Sequence, residues 1–144
     1  MKEEGGFTLI ELLIVVAIIG IITAIAVPSL KKARQAAFAS SAVASLRTIN
    51  TAEALYYRKG TGYGLLANLA PDGTLDTVLA SGSKGDYNFV ITLSNLDVNG
   101  NPQRFQVTAD PQETVIVLTH YFIDDTGVIR ANVGAPATAT SAPL

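Results

Sequence analysis

Glu11 stands alone. From Phe7 to Leu30 no other side chain ionises, although the rest of the chain carries charges at ordinary density. A charge at a bilayer centre costs about 2.5–3.5 kcal/mol on insertion scales, and less near one end of a span, where Glu11 lies. A few neighbouring Leu, Ile, Val or Phe residues at about −0.3 to −0.6 kcal/mol each offset that cost. The carboxylate still wants a cation, and the run holds no Lys, Arg or His. One arises if the chain is cut before Phe7, because the new α-amino group is positive at neutral pH and stands one helical turn from Glu11. The two charges can pair within one chain or between neighbours. Between neighbours they neutralise each other in one axial register only, as a buried polar residue does in a coiled coil. Snorkelling to the headgroups, or protonation, is the bland alternative for Glu11.

Other reactive side chains point away from catalysis. His120 is the only histidine, and one imidazole makes neither a zinc site nor a triad. Asp124 and Asp125 read as an Asp-Asp-Thr-Gly turn in preference to calcium ligands. Gly60, Gly62 and Gly64 follow a helix and lack the Lys-Ser/Thr pair of a phosphate loop. Tyr56, Tyr57, Tyr63, Tyr87 and Phe89 suit a helix end packed on a sheet better than a conducting path. No catalytic residue, metal or cofactor is expected, and the chain is read as not an enzyme. With no cysteine, disulfides and thiolate chemistry are excluded together. A net charge of −2 with interspersed signs gives no basic footprint for nucleic acid as a main partner.

The elements that must carry Glu11 follow from the apolar pattern. Residues 7–27 would be about 31 Å long as a helix, close to a hydrocarbon core of ~30 Å, and they are apolar all round. Gly20 weakens a helix interior by about 1 kcal/mol, and Pro28 lacks an N–H and clashes with the carbonyl near Ala24. The stretch between them is therefore the weak part of the helix. Lys31, Lys32 and Arg34 follow directly, and by charge counting they would place the C-terminal side of the span in the cytoplasm. Ala24-Ile25-Ala26 also has the form of a signal-peptidase site, whose use would release a soluble secreted binding domain beginning at Val27.

Beyond the span, Ala39, Ala42, Leu46, Ile49, Ala52 and Tyr56 recur at helical spacing, which predicts an amphipathic helix stopping at Gly60. Strands are expected at 87–94, 104–109, 114–124 and 127–130, from their β-branched and aromatic residues. Asn-Gly, Asp-Pro and Asp-Asp-Thr-Gly connections join them as antiparallel hairpins. A short helix is expected within 74–80, in a connection whose path is open. Residues 132–144, small, uncharged and rich in Ala, Thr and Pro, read as a flexible tail.

"GFTLIELLIVVAIIG" followed by "AIAVPSL" resembles the N-terminus of the type IV pilin and type II secretion pseudopilin superfamily. That resemblance implies an α+β, pilin-like fold. In it a long N-terminal helix, half transmembrane and half amphipathic, packs on a small antiparallel sheet. It implies a leader at 1–6, an assembly helix at 7–30 and a globular domain at 31–131. It also implies that a prepilin peptidase and methyltransferase cuts between Gly6 and Phe7 and methylates the amine of Phe7. Phe7 and Glu11 would then serve assembly, with Gly20 and Pro28 bounding a segment that loses helical structure in the filament. The subunit would sit single-pass in the inner membrane, leader in the cytoplasm, before entering a periplasmic or cell-surface filament. Its partners would be copies of itself, other pilins or pseudopilins, inner-membrane lipid, an assembly ATPase and a platform protein. A pilus subunit is the favoured reading and a secretion pseudopilin the alternative. The chain departs from the family in its Lys2-Glu3-Glu4 leader, usually basic, and in lacking both the terminal disulfide and the Asp-Pro-Trp-Gly motif of calcium-binding pseudopilins.

Overall fold

The computed structural model describes residues 6–71, 73–112 and 118–144. The chain divides after Ala36 into two compact units. Helix α1 (Leu9–Tyr56) runs through that division without a break in its backbone pattern. Its start is fixed by a reciprocal cap. The Glu11 carboxylate accepts the Thr8 N–H at 2.9 Å, and the Glu11 N–H donates to the Thr8 hydroxyl oxygen at 3.3 Å. In the first unit every residue from Gly6 to Arg34 is exposed, as expected of a helix with no polar face to turn outward and no core to turn inward. Gly20 and Pro28 both lie inside the helix.

In the second unit α1 behaves as an amphipathic helix. Ala42, Ser45, Leu46, Ile49, Ala52 and Glu53 are buried at spacings of three and four, forming one stripe toward the core. Ala39 and Tyr56 pack on the edge of that core. A π-helical turn, Tyr57–Thr61, follows, and Gly60 at φ 83° ends the helix, as expected from the glycine cluster. Gly62 makes the closest approach in the connection. A Cβ there would lie 2.4 Å from the Pro102 carbonyl oxygen, which already accepts the Tyr63 N–H at 2.9 Å. Two short helices follow, α2 (Leu66–Leu69) and α3 (Thr77–Ala80), the second capped by Asp76 accepting the Leu79 N–H.

The sheet is antiparallel throughout. Its order is the chain order: β1 (Ser83–Lys84), β2 (Tyr87–Leu96), β3 (Pro102–Pro111), β4 (Thr119–Asp124), β5 (Arg130–Val133) and β6 (Ala142–Pro143). Register follows burial. Tyr87, Phe89 and Ile91 of β2 and Phe105, Val107 and Ala109 of β3 face the stripe of α1, while alternate residues face out. The Asn99-Gly100 signal does form the β2–β3 turn, with the Asp97 carboxylate accepting the N–H groups of Asn99 and Asn101, each at 2.8 Å.

The structure differs from expectation at the sheet's far edge. The fourth expected strand, 127–130, is a turn and the start of β5, because Gly127 at φ 75° closes the Asp124 turn and pairing begins only at Arg130. The first part of the expected strand 114–124 lies outside the described residues up to 117; pairing is seen from Thr119. Residues 132–144, read from composition as a tail with no core role, contain β6, and the Leu144 N–H donates to the Ile129 carbonyl at 2.9 Å. Ala137 is buried. The reason is the open outer edge of β5, whose backbone groups need partners that composition does not reveal. Phe122, which alternation turns away from the main core, is also buried and lies outside that core.

Candidate functional site

The N-terminal segment is a site made of exposure. Phe7 is 87% exposed, and Leu9, Ile10, Leu12, Leu13, Ile14 and their successors to Leu30 are exposed along the helix. Mean hydropathy reaches 2.9 in this stretch, on a helix long and apolar enough to cross a membrane. Such a surface is incompatible with water unless lipid or another apolar surface covers it. At its head, Gly6 and Phe7 precede the first helical turn, and a Cβ on Gly6 would meet nothing within 4 Å.

Glu11 is engaged locally. Besides the backbone bond, its Oε2 accepts the Thr8 hydroxyl at 2.6 Å. Sequence reasoning looked for a cation and passed over Thr8, although Thr-x-x-Glu ahead of an apolar run is a capping-box signature. The cap orders the carboxylate one turn from Phe7. Gly20, too, has no neighbour within 4 Å of where a Cβ would be, so packing within this chain does not require glycine there.

The remaining candidates have structural partners. His120 Nδ1 lies 2.6 Å from Asp110 Oδ1, a cross-strand hydrogen bond between β4 and β3. Asp124 caps its own turn by accepting the Thr126 N–H at 3.0 Å, and Asp125 lies 3.7 Å from Arg104 Nε. Tyr57, Tyr63 and Phe105 form a packed series with ring centroids 4.6 and 4.7 Å apart. Burial raises the Tyr63 hydroxyl above its ordinary value, with the Asp125 carboxylate adding to the effect. Gly64 of the glycine cluster gives its N–H to Glu53 at 2.9 Å.

Glu53 was not foreseen. It is fully buried on the α1 stripe, with Oε2 accepting the Gly64 N–H and Oε1 without a partner among the described residues. Burial pushes its carboxyl up to about 7, against the smaller lowering effect of the Gly64 N–H. The available signal was position: Glu53 follows Ile49 by four residues and Ala52 by one, inside the apolar stripe.

Comparison with known proteins falls on the same segment. Residues 1–27 match the family model of the prokaryotic N-terminal methylation motif. The N-terminus carries that motif. The type IV major pilin protein PilA of Myxococcus xanthus is 44% identical over 66 residues, 46% of this chain and 30% of that protein. A fimbrial protein of Pseudomonas aeruginosa is 48% identical over 52 residues, 36% of this chain and 34% of that one. The chain thus spans about a third of the length of the curated relatives it matches. No solved structure matches it significantly. The motif match covers the apolar helix as far as Val27, and the sheet stands on its own description.

Proposed function

We propose that this chain is a structural subunit of a type IV pilus, held single-pass in the inner membrane before assembly. The observation that carries the reading is an apolar helical run, exposed from Leu9 to Leu30, that begins within residues matching a methylation motif. Prepilin peptidase cuts between Gly6 and Phe7 and methylates the Phe7 amine. The cut leaves a cation beside a carboxylate that Thr8 already orients. In the membrane, lipid covers the helix. In the filament, neighbouring copies cover it, and the Phe7 amine pairs with Glu11 of a neighbour in one register. Head-to-tail contacts of this kind generate an open helix of subunits. An assembly ATPase and a platform protein supply the work of extraction, and the filament stands on the cell surface. A pilus is the favoured reading, supported by relatives named a type IV major pilin and a fimbrial protein, and a secretion pseudopilin is the alternative.

N-terminal sequencing with intact mass on protein from its native cells tests the reading. A chain starting at Phe7 with one added methyl group supports it. A start at Val27 means that the apolar segment was a discarded signal, and refutes it. Filaments at the surface, against a periplasmic filament whose loss blocks protein export, separate pilus from pseudopilin.

A further inference from the structure

The apolar run ends abruptly at Leu30, and Lys31, Lys32 and Arg34 follow within one turn of α1, all exposed. No ion pair or hydrogen bond engages their side chains among the described residues. We propose that Lys31, Lys32 and Arg34 form a binding surface for the phosphate headgroups of anionic lipids, at the membrane face where the span ends. The proposal rests on the membrane-held reading above.

Three observations converge on it. The first is length: a helical run from residue 7 to 27 spans about 31 Å, so when Phe7 lies at one face of a ~30 Å hydrocarbon core, residues 31–34 lie among the headgroups of the other. The second is disposition. At about 100° per residue, Lys31 and Arg34 lie about 60° apart on one side of the helix, and Lys32 stands about 100° from Lys31 and about 160° from Arg34. The three heads therefore fan around the helix toward a ring of lipids, with no convergence on a single point. The third is the charge pattern of the chain. From residue 12 to 52 there is no Asp or Glu. A parallel neighbouring helix offers these cations no carboxylate unless shifted axially by about 30 Å, and the next one along, Glu53, is fully buried. Lipid phosphate is the anion available at that depth, and anionic surfaces attract juxtamembrane basic groups.

Topology does not explain the cluster either. With the leader in the cytoplasm, these cations lie on the side where the positive-inside rule disfavours them. A headgroup role accounts for their presence there, and it makes release of anionic lipid part of extracting the subunit.

The test uses the full chain in vesicles of phosphatidylcholine containing a minority of phosphatidylglycerol. The fraction of spin-labelled phosphatidylglycerol immobilised by the protein is compared with that of spin-labelled phosphatidylcholine. Insertion is read separately, by resistance to alkaline extraction. Wild type is expected to select phosphatidylglycerol several-fold, with the selection weakened by salt. The triple variant K31Q/K32Q/R34Q should insert equally well and show no selection. A protein that inserts but immobilises both lipids alike, or a variant that keeps the preference, overturns the lipid proposal alone. Failure of wild type to insert overturns the membrane-held reading and this proposal with it. If the variant instead loses self-association in pure phosphatidylcholine, the cations serve contact between copies and the lipid proposal falls.

Discussion

Glu53→Gln should make the globular unit more stable at neutral and alkaline pH, the opposite of what deleting a hydrogen-bonded core charge usually does. The Glu53 carboxyl is raised from an ordinary value near 4.5 to about 7 because burial disfavours the anion. The native state therefore holds a proton that the unfolded chain has released between those two values. Stability from this group is fully present below about 4.5 and is lost as pH rises through about 7. A shift of this size at 1.36 kcal/mol per unit amounts to about 3 kcal/mol, lost almost entirely by about pH 8. Asp76 and Asp97 do not oppose it in this window. The first is lowered chiefly by the Lys84 side chain and the second chiefly by the Asn101 N–H, so both lose their contribution only under more acidic conditions. Glutamine keeps an oxygen for the Gly64 N–H, removes the titration and carries no charge to desolvate. The assay is urea denaturation of the full chain in detergent, followed by tyrosine near-UV dichroism from pH 4.5 to 8. Wild type should lose about 3 kcal/mol over that range, and E53Q should be nearly flat and exceed wild type at pH 8 by about 2–3 kcal/mol. Wild-type stability that is flat or rises with pH, or an E53Q variant weakened at pH 8, would refute the reasoning.

Three further substitutions separate the roles of the helix and its connection. Glu11→Ala should cost about 1 kcal/mol of helix capping, leave membrane insertion intact and abolish filaments seen by electron microscopy; normal filaments with alanine would remove the register role. Gly20→Ala meets nothing within 4 Å and should raise the helicity of the isolated subunit by about 1 kcal/mol of local stability. If residues between Gly20 and Pro28 must melt in the filament, the same change should lower filament yield, and an unchanged yield would argue that they stay helical. Gly62→Ala places a Cβ against the Pro102 backbone at a φ of 76°, and should destabilise the fold by about 2–3 kcal/mol in the same urea assay.

The apolar run, the lone Glu11, the amphipathic stripe through Ala42, Leu46, Ile49 and Ala52, the stop at Gly60 and the β2–β3 hairpin were all legible in the sequence. Each is written in residues a few positions apart: a helical period, a strand alternation, or a turn chemistry that nearby side chains decide. Thr8 was legible too and was passed over, since its capping of Glu11 needs only a spacing of three. What tertiary structure alone decided depends on groups distant along the chain. Arg130 and Ala131 acquire Pro143 and Ala142 as strand partners because an open sheet edge comes within reach, whatever the composition of the last residues. Asp110 meets His120 because β3 and β4 share one register. Glu53 stands inside the apolar stripe in sequence, but nothing a few positions away shows what covers it. Only when Gly64 folds back over it and the sheet closes off water does desolvation outweigh the hydrogen bond, and that balance sets how tightly its proton is held.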